Sequence, residues 1–363
     1  MNLQRLRTLA PYLSLVLGLA SAWLSAKHPG RAVWICCFAA VAWLAHFAWL
    51  LLERRRAAVS AATPAASETS ATVATSAAPA PSAPSAPSAT FARPAASVAP
   101  AASAKPAALE HAARWATQAL AQSMAQSLLW FALPWLWRAA APTVGQLAYL
   151  ALLAAIAVCS LWDPLWQRMV AVPAIAAFCL AGATFAGLAA TLPMIGVPLG
   201  HAPWWAAAGA ALPALLHVLG DARWRQPATW TWAQLATLPW ILLAGPLREA
   251  VPAAPLAVER LTLADDVAGR EPGAPLTLTR LPSKAWCYSA ISAPAGVDAE
   301  VRHVWRRDGA GLTRRVLAVH GGRVGGYRTW SRHPAGQLRG AAEVECQVET
   351  LAGQPLGSVT VAR

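Results

Sequence analysis

The residues whose types and spacing could do chemistry fall into two groups. In the tail of the chain, Val301, His303 and Trp305 alternate with Arg302, Val304 and Arg306, so on a strand His303 and Trp305 share one face. That pair suits a ligand contact at a sheet rim, and the favoured reading is a core histidine whose ring nitrogens are satisfied by backbone. Arg328, Trp330 and Arg332 alternate in the same way, which lets two guanidinium groups flank and stack on one indole. Such a ladder fits an anionic glycan or lipid headgroup if it faces solvent, and otherwise stiffens a sheet. In the apolar part of the chain, Gln118, Gln122 and Gln126 recur at i, i+4 and i+8 and form a polar stripe that must face other helices. His46 and His217 sit in the middle of apolar runs, where an ionisable group is a functional candidate. A proton or ion path needs several such groups, and no acidic pair accompanies them, so packing is the competing reading.

Several reaction classes lack their residues. There is no Gly-x-Ser-x-Gly elbow and no His-Glu-x-x-His, and His303, His320 and His333 stand in no spaced constellation with the nearby Ser and Asp residues. No Cys-x-x-Cys pair occurs, which argues against zinc, iron–sulfur and thioredoxin-like chemistry. The glycines around Arg323 have no strand-to-helix context and read as a flexible turn rather than a phosphate loop. No catalytic residue, cofactor or metal is therefore assigned. Cys36, Cys37, Cys159 and Cys179 lie in apolar runs and behave as small hydrophobes, whereas Cys287 and Cys346 in the tail are candidates for a disulfide if the tail lies in an oxidising compartment.

The elements that must position these groups follow from composition. A chain that is 57% hydrophobic and 12% charged reads as a polytopic membrane protein. The net charge of +13 does not point to nucleic acid, because the bases of the first part sit beside apolar runs, where anionic lipid and topology select them. Seven segments approach the length of a crossing: residues 9–26, 32–52, 119–137, 144–162, 169–192, 204–219 and 229–247. The first resembles a signal peptide in outline, and an uncleaved helix is favoured. An odd number of crossings puts the chain ends on opposite sides. Arg5, Arg7, Arg54, Arg55, Arg56, Arg168, Arg223 and Arg225 flank one side, and only Lys27, Arg31 and Arg138 the other, which predicts a cytoplasmic N-terminus and a tail outside.

Residues 57–108 are almost wholly Ala, Pro, Ser and Thr and read as an extended linker. The tail then changes period. Alternation as in Glu343, Val344, Glu345, Cys346, Gln347 and Val348 predicts strands there and at 257–263, 284–291, 300–306, 312–319, 326–332 and 357–361, with turns at Asp308-Gly309 and Ala352-Gly353. The expected architecture is a two-helix transmembrane hairpin over 1–56, the linker over 57–108, a five-helix transmembrane bundle over 109–247 and an all-β, immunoglobulin-like sandwich over 248–363.

The tail motifs Arg270-Glu271-Pro272, Trp286-Cys287-Tyr288, His303-Val304-Trp305 with Asp308-Gly309, and Tyr327-Arg328-Thr329-Trp330-Ser331 together resemble the domain of unknown function 2914. By order and composition the preceding helices resemble the domain of unknown function 5924. The resemblance implies a bacterial envelope protein and brings no activity or catalytic residues with it. The expectation is a non-enzymatic inner-membrane protein that contacts membrane lipid and presents a periplasmic sandwich to an envelope component, a glycan or a protein partner, with His303, Trp305, Arg328, Trp330 and Arg332 as its binding residues. The alternative is a transporter or membrane enzyme, with His46, Gln122, Gln126 and His217 lining a cavity among the helices.

Overall fold

Proline and alanine set the helix boundaries of the first half of the chain. The computed structural model describes residues 104–220, 226–279 and 281–363, together with isolated positions between Val16 and Leu52. Within these, α1 (Ala104–Ala139) is an Ala-rich helix that ends where Pro142 follows, and α2 (Val144–Leu161) begins on an N-cap at Thr143. Proline opens α3 (Asp163–Val170), α4 (Pro173–Thr191) and α6 (Pro227–Ala244), at a position where its missing N–H costs nothing. Between α4 and α6 lies α5 (Ala202–Gly220), and a 3-10 turn, Leu192–Ile195, extends α4.

Helix α4 is the centre of the helical unit, buried along most of its length between α1, α5 and α6. Its small residues permit that closeness. A Cβ added at Gly182 would come within 2.6 Å of the Trp240 ring, and one at Gly187 within 2.7 Å of Leu128. Fully buried Trp240 fills the space so made, with Phe178 at 5.0 Å and Phe185 at 5.8 Å between ring centroids.

The expectation of about seven transmembrane helices is overturned. There are six α-helices among the described residues, and two stretches, Val144–Leu161 and Pro173–Ile195, are long and apolar enough to cross a membrane by length and composition. Segment 169–192 was read as one apolar run, yet it is interrupted: α3 ends at Val170 and Pro173 opens α4. Gln, Thr and Trp residues dilute α1 and α6 below the hydropathy of a clear span. Apart from isolated positions, segments 9–26 and 32–52 lie outside the described residues, as does the linker over 57–103, and the chain ends are no longer placed on opposite sides by an odd number of crossings. What stands is coarser. The helical unit turns large apolar side chains outward, among them Val144 (86% exposed), Val158 (59%) and Leu235 (65%), which points to membrane association.

The tail forms two facing antiparallel sheets, as its alternation predicts. The first has the order β1 (Ala257–Ala264), β4 (Lys284–Ser292), β7 (Tyr327–Pro334), and the second has the order β6 (Ala310–His320), β5 (Asp298–Arg307), β8 (Glu343–Thr350), β9 (Pro355–Ala362). A small hairpin, β2 (Val267–Ala268) and β3 (Glu271–Pro272), projects beside β1. Asp308 and Gly309 take positive φ between β5 and β6, the two-residue turn their types favour. The Asp308 carboxylate accepts the backbone N–H groups of Ala342 and Glu343 at 2.9 Å each, and these bonds, the Glu343 one foremost, hold its pKa below the usual range. A disulfide between Cys287 on β4 and Cys346 on β8 joins the two sheets.

The two units meet around two buried side-chain amides. Gln146, in the first turn of α2, accepts the Ala141 N–H at 2.6 Å and donates to the carbonyls of Glu249 (3.2 Å) and Pro355 (3.0 Å). Gln354 adds a bond to the Val251 carbonyl at 2.9 Å, and Arg138 pairs with Glu259 across the surface at 2.8 Å. Replacing Gln146 by Leu leaves three backbone groups without this partner, at a cost of about 1–3 kcal/mol for each that stays dry. Amide hydrogen exchange is expected to accelerate at residues 249–256 and 353–356 in Gln146→Leu, with the interior strands unchanged; unchanged exchange at the junction would contradict the assignment. Reducing the disulfide, whose partners are 59 residues apart, is expected to cost about 4 kcal/mol of sandwich stability, read as a lower denaturation midpoint in reductant.

Candidate functional site

Strand alternation divides the predicted tail residues between an inner and an outer face. His303 and Trp305 on β5 point inward and are fully buried, as are Ser289 on β4 and, nearly so, Thr329, Ser331 and His333 on β7. They make one hydrogen-bonded cluster. The Ser289 hydroxyl meets His303 Nε2 at 2.9 Å and the Thr329 hydroxyl at 2.8 Å, while Ser331 Oγ meets His303 Nδ1 at 3.0 Å and accepts the Trp305 Nε1–H at 2.9 Å. His333 stacks on Trp305 with centroids 5.5 Å apart. Of the two readings open for His303 and Trp305, the geometry places them in the core, and serine hydroxyls rather than backbone satisfy the histidine. With both ring nitrogens bonded to hydroxyls of the facing sheet, buried His303 ties the two sheets together. The two disulfide sulfurs lie with a His303 ring nitrogen inside a 4.8 Å circle, a ligand set available to a metal only if both were thiols.

The outer face of the β1-β4-β7 sheet carries the other three residues. Arg328 and Arg332 are exposed and Trp330 is half-buried between them, opposite Tyr288 on β4, while Arg332 stands opposite Trp286. The three residues read from the sequence therefore share the outer face of this sheet. Its charge is only partly balanced. Glu271 on the hairpin pairs with Arg328 at 2.8 Å and with Arg260 at 3.4 Å, and the Arg260 guanidinium lies 5.9 Å above the Tyr288 ring. At one end of this face a groove of about 470 Å³ is lined by Arg270, Arg323, Val324, Gly326, Tyr327, Arg328 and Trp330. Arg270 reaches it from the β2–β3 turn with φ of 69°, a left-handed conformation that costs a non-glycine residue about 1 kcal/mol or more.

The polar residues of the helices have a local task. Gln122 donates to the Ser160 carbonyl at 2.8 Å and to the Asp163 carboxylate at 3.0 Å, and Gln126 donates to the same Ser160 carbonyl. The stripe thus serves the backbone where α2 breaks into α3, a point at which helix carbonyls lack intrahelical donors. His46 and the side chains of Gln118 and His217 lie outside the described residues.

Sequence reading passed over Gln146, Gln354, Arg260, Arg270, Glu271 and Arg323 as site residues. A glutamine bordering an apolar run has no spacing to mark it. The arginines come from three separate turns and strands, and only a Gly-Arg pair in a two-residue hairpin turn, where Asn-Gly is usual, hints at Arg270.

These features define a class, an α-helical membrane-associated unit with a disulfide-linked two-sheet sandwich fixed to one end. Residues 104–283, which hold all six helices and β1 to β3, match the family of unknown function DUF5924. No curated protein and no solved structure matches the chain.

Burial pushes the His303 imidazole down from 6.5 to about 4, and burial also lowers His333. The unfolded chain therefore takes up protons near pH 6.5 that the folded sandwich refuses until about pH 4. Stability is level above that window and falls through it as pH drops, by about 3 kcal/mol in all for His303. Denaturant midpoints measured across it are expected to fall for the native chain and to stay flatter in His303→Gln; equal slopes would remove His303 as the cause.

Proposed function

We propose that this is a non-enzymatic membrane-associated protein of the bacterial envelope, whose helical unit anchors and orients a periplasmic sandwich that binds an envelope component or protein partner. The observation that carries the reading is the exposed Arg328–Trp330–Arg332 ladder on a sheet held at a fixed attitude to the helices. Three further features support it. The outward apolar residues of α2, α5 and α6 suit lipid, and α2 is about 27 Å long, close to a hydrocarbon core of about 30 Å. Exposed Trp137, Trp204 and Trp205 at the sandwich end, with Trp162 and Trp230 at the other, suit the two headgroup layers. The Cys287–Cys346 disulfide suits an oxidising compartment.

The tail's likeness to the domain of unknown function 2914 belongs to this proposal, as does its placement outside. His303 and Trp305 contribute from within by holding the sheets together. The transporter or membrane-enzyme reading is not favoured, because Gln122 and Gln126 are engaged by the α2–α3 break.

A photo-crosslinking amino acid at position 330 in intact cells tests the binding face, with position 312 on the opposite sheet as the control. Adducts specific to position 330 are expected, together with a periplasmic readout from a reporter fused after Arg363. A cytoplasmic readout, or equal labelling at both positions, would overturn the proposal.

A further inference from the structure

The groove at the end of the ladder is built from separate parts of the tail. Arg270 comes from the β2–β3 turn, Arg323 and Val324 from the loop between β6 and β7, and Tyr327, Arg328 and Trp330 from β7. The Arg323 guanidinium stacks 5.0 Å from the Tyr327 ring centroid, which fixes its plane while leaving its edge N–H groups free to donate. Arg328 shares Glu271 with Arg260, and Arg270 and Arg323 have no carboxylate partner among the described residues. The groove is therefore a site of excess positive charge, with planar donors suited to a phosphate or carboxylate.

Its height on the molecule narrows the ligand. Loop 321–326 is seated on the turn after β4: the Gly322 N–H donates to the Ala293 carbonyl and the Gly321 N–H to the Val297 carbonyl, each at 2.9 Å. A Cβ at Gly321 would lie 1.9 Å from the Pro294 oxygen, so only glycine lets the loop come this close. Ala293 and Pro294 in turn border a crevice with Trp135 and Arg138 at the end of α1. The arginine groove thus lies at the helix-proximal end of the sandwich, beside the end that carries exposed Trp137, Trp204 and Trp205. Next to Arg323 the loop presents Val324, 103% exposed and held out by glycines on both sides. An arginine beside an unsupported apolar tip, at the level of an interfacial tryptophan belt, is the arrangement that meets phosphate and acyl chain together.

We infer that Arg270, Arg323 and Arg328 bind the phosphodiester headgroup of an anionic membrane lipid, with Val324 dipping into the same leaflet. The inference rests on the proposed membrane placement of the helical unit and names the envelope component for this end of the face. Binding here clamps the sandwich to the lipid surface at a point distinct from the Gln146 junction.

The full chain, delipidated in detergent and offered equal amounts of phosphatidylglycerol and phosphatidylcholine, tests this by native mass spectrometry of the retained lipids. The native chain is expected to retain phosphatidylglycerol preferentially at one site. Arg270→Ala with Arg323→Ala is expected to reduce that preference about thirtyfold, as loss of two arginines at an anionic lipid surface does, whereas Arg314→Ala on β6, in the opposite sheet, leaves it intact. Val324→Ser is expected to weaken lipid retention without changing the response to free glycerophosphoglycerol, which lacks acyl chains and competes poorly. Equal retention in the native chain and the double variant would overturn the inference. So would efficient competition by the free headgroup, which would make the site one for soluble anions. Either failure leaves crosslinking from position 330 to judge the broader binding face separately.

Discussion

The arrangement of the whole molecule depends on the side-chain amide of Gln146. It is fully buried and engages Ala141 before α2, Glu249 after α6 and Pro355 at the start of β9. Those three points belong to three different connections, and each ends in a backbone group that would otherwise be buried unpaired. A buried polar group is costly unless satisfied, so the amide favours one relative placement of helices and sandwich over neighbouring ones. Close packing enforces the same choice, since a Cβ at Gly145 would already lie 3.2 Å from that of Ala250. From this placement follows the height of the arginine groove, and hence the lipid assignment.

The two units solve the burial problem in opposite ways. The helices pack through glycine and alanine around α4 and turn their larger aliphatic side chains outward, the arrangement expected where the surroundings are as apolar as the interior. The sandwich keeps its apolar residues and disulfide inside and spreads arginines over its outer sheet. Each unit also holds a polar cluster in its interior: Gln122 and Gln126 on the α2–α3 break, and His303 with its serines between the sheets. Both clusters stabilise backbone or sheet pairing.

Legibility followed the range of the interaction. The strands were legible because period-two alternation is local, and Asp308-Gly309 marked its own turn. Cys287 and Cys346 could be named as a pair but not joined, since bonding depends on two sheets meeting. The count of membrane segments failed because a hydropathy window reads composition and not breaks, so the break between Val170 and Pro173 disappeared into one apolar run. For His303 and Trp305 the shared face was correct, but which face looks inward depends on the second sheet. The arginine groove was half legible: Arg328, Trp330 and Arg332 alternate on one strand, whereas Arg270 and Arg323 join them only through the fold.

The central claim is that the sandwich is held in one attitude against the end of the helical unit. The most direct measurement is the distance distribution between spin labels at Val158 on α2 and Val316 on β6, both exposed, recorded by double electron–electron resonance in lipid nanodiscs. The account predicts a single narrow distribution that broadens when Gln146 is replaced. A broad distribution in the native chain would contradict it.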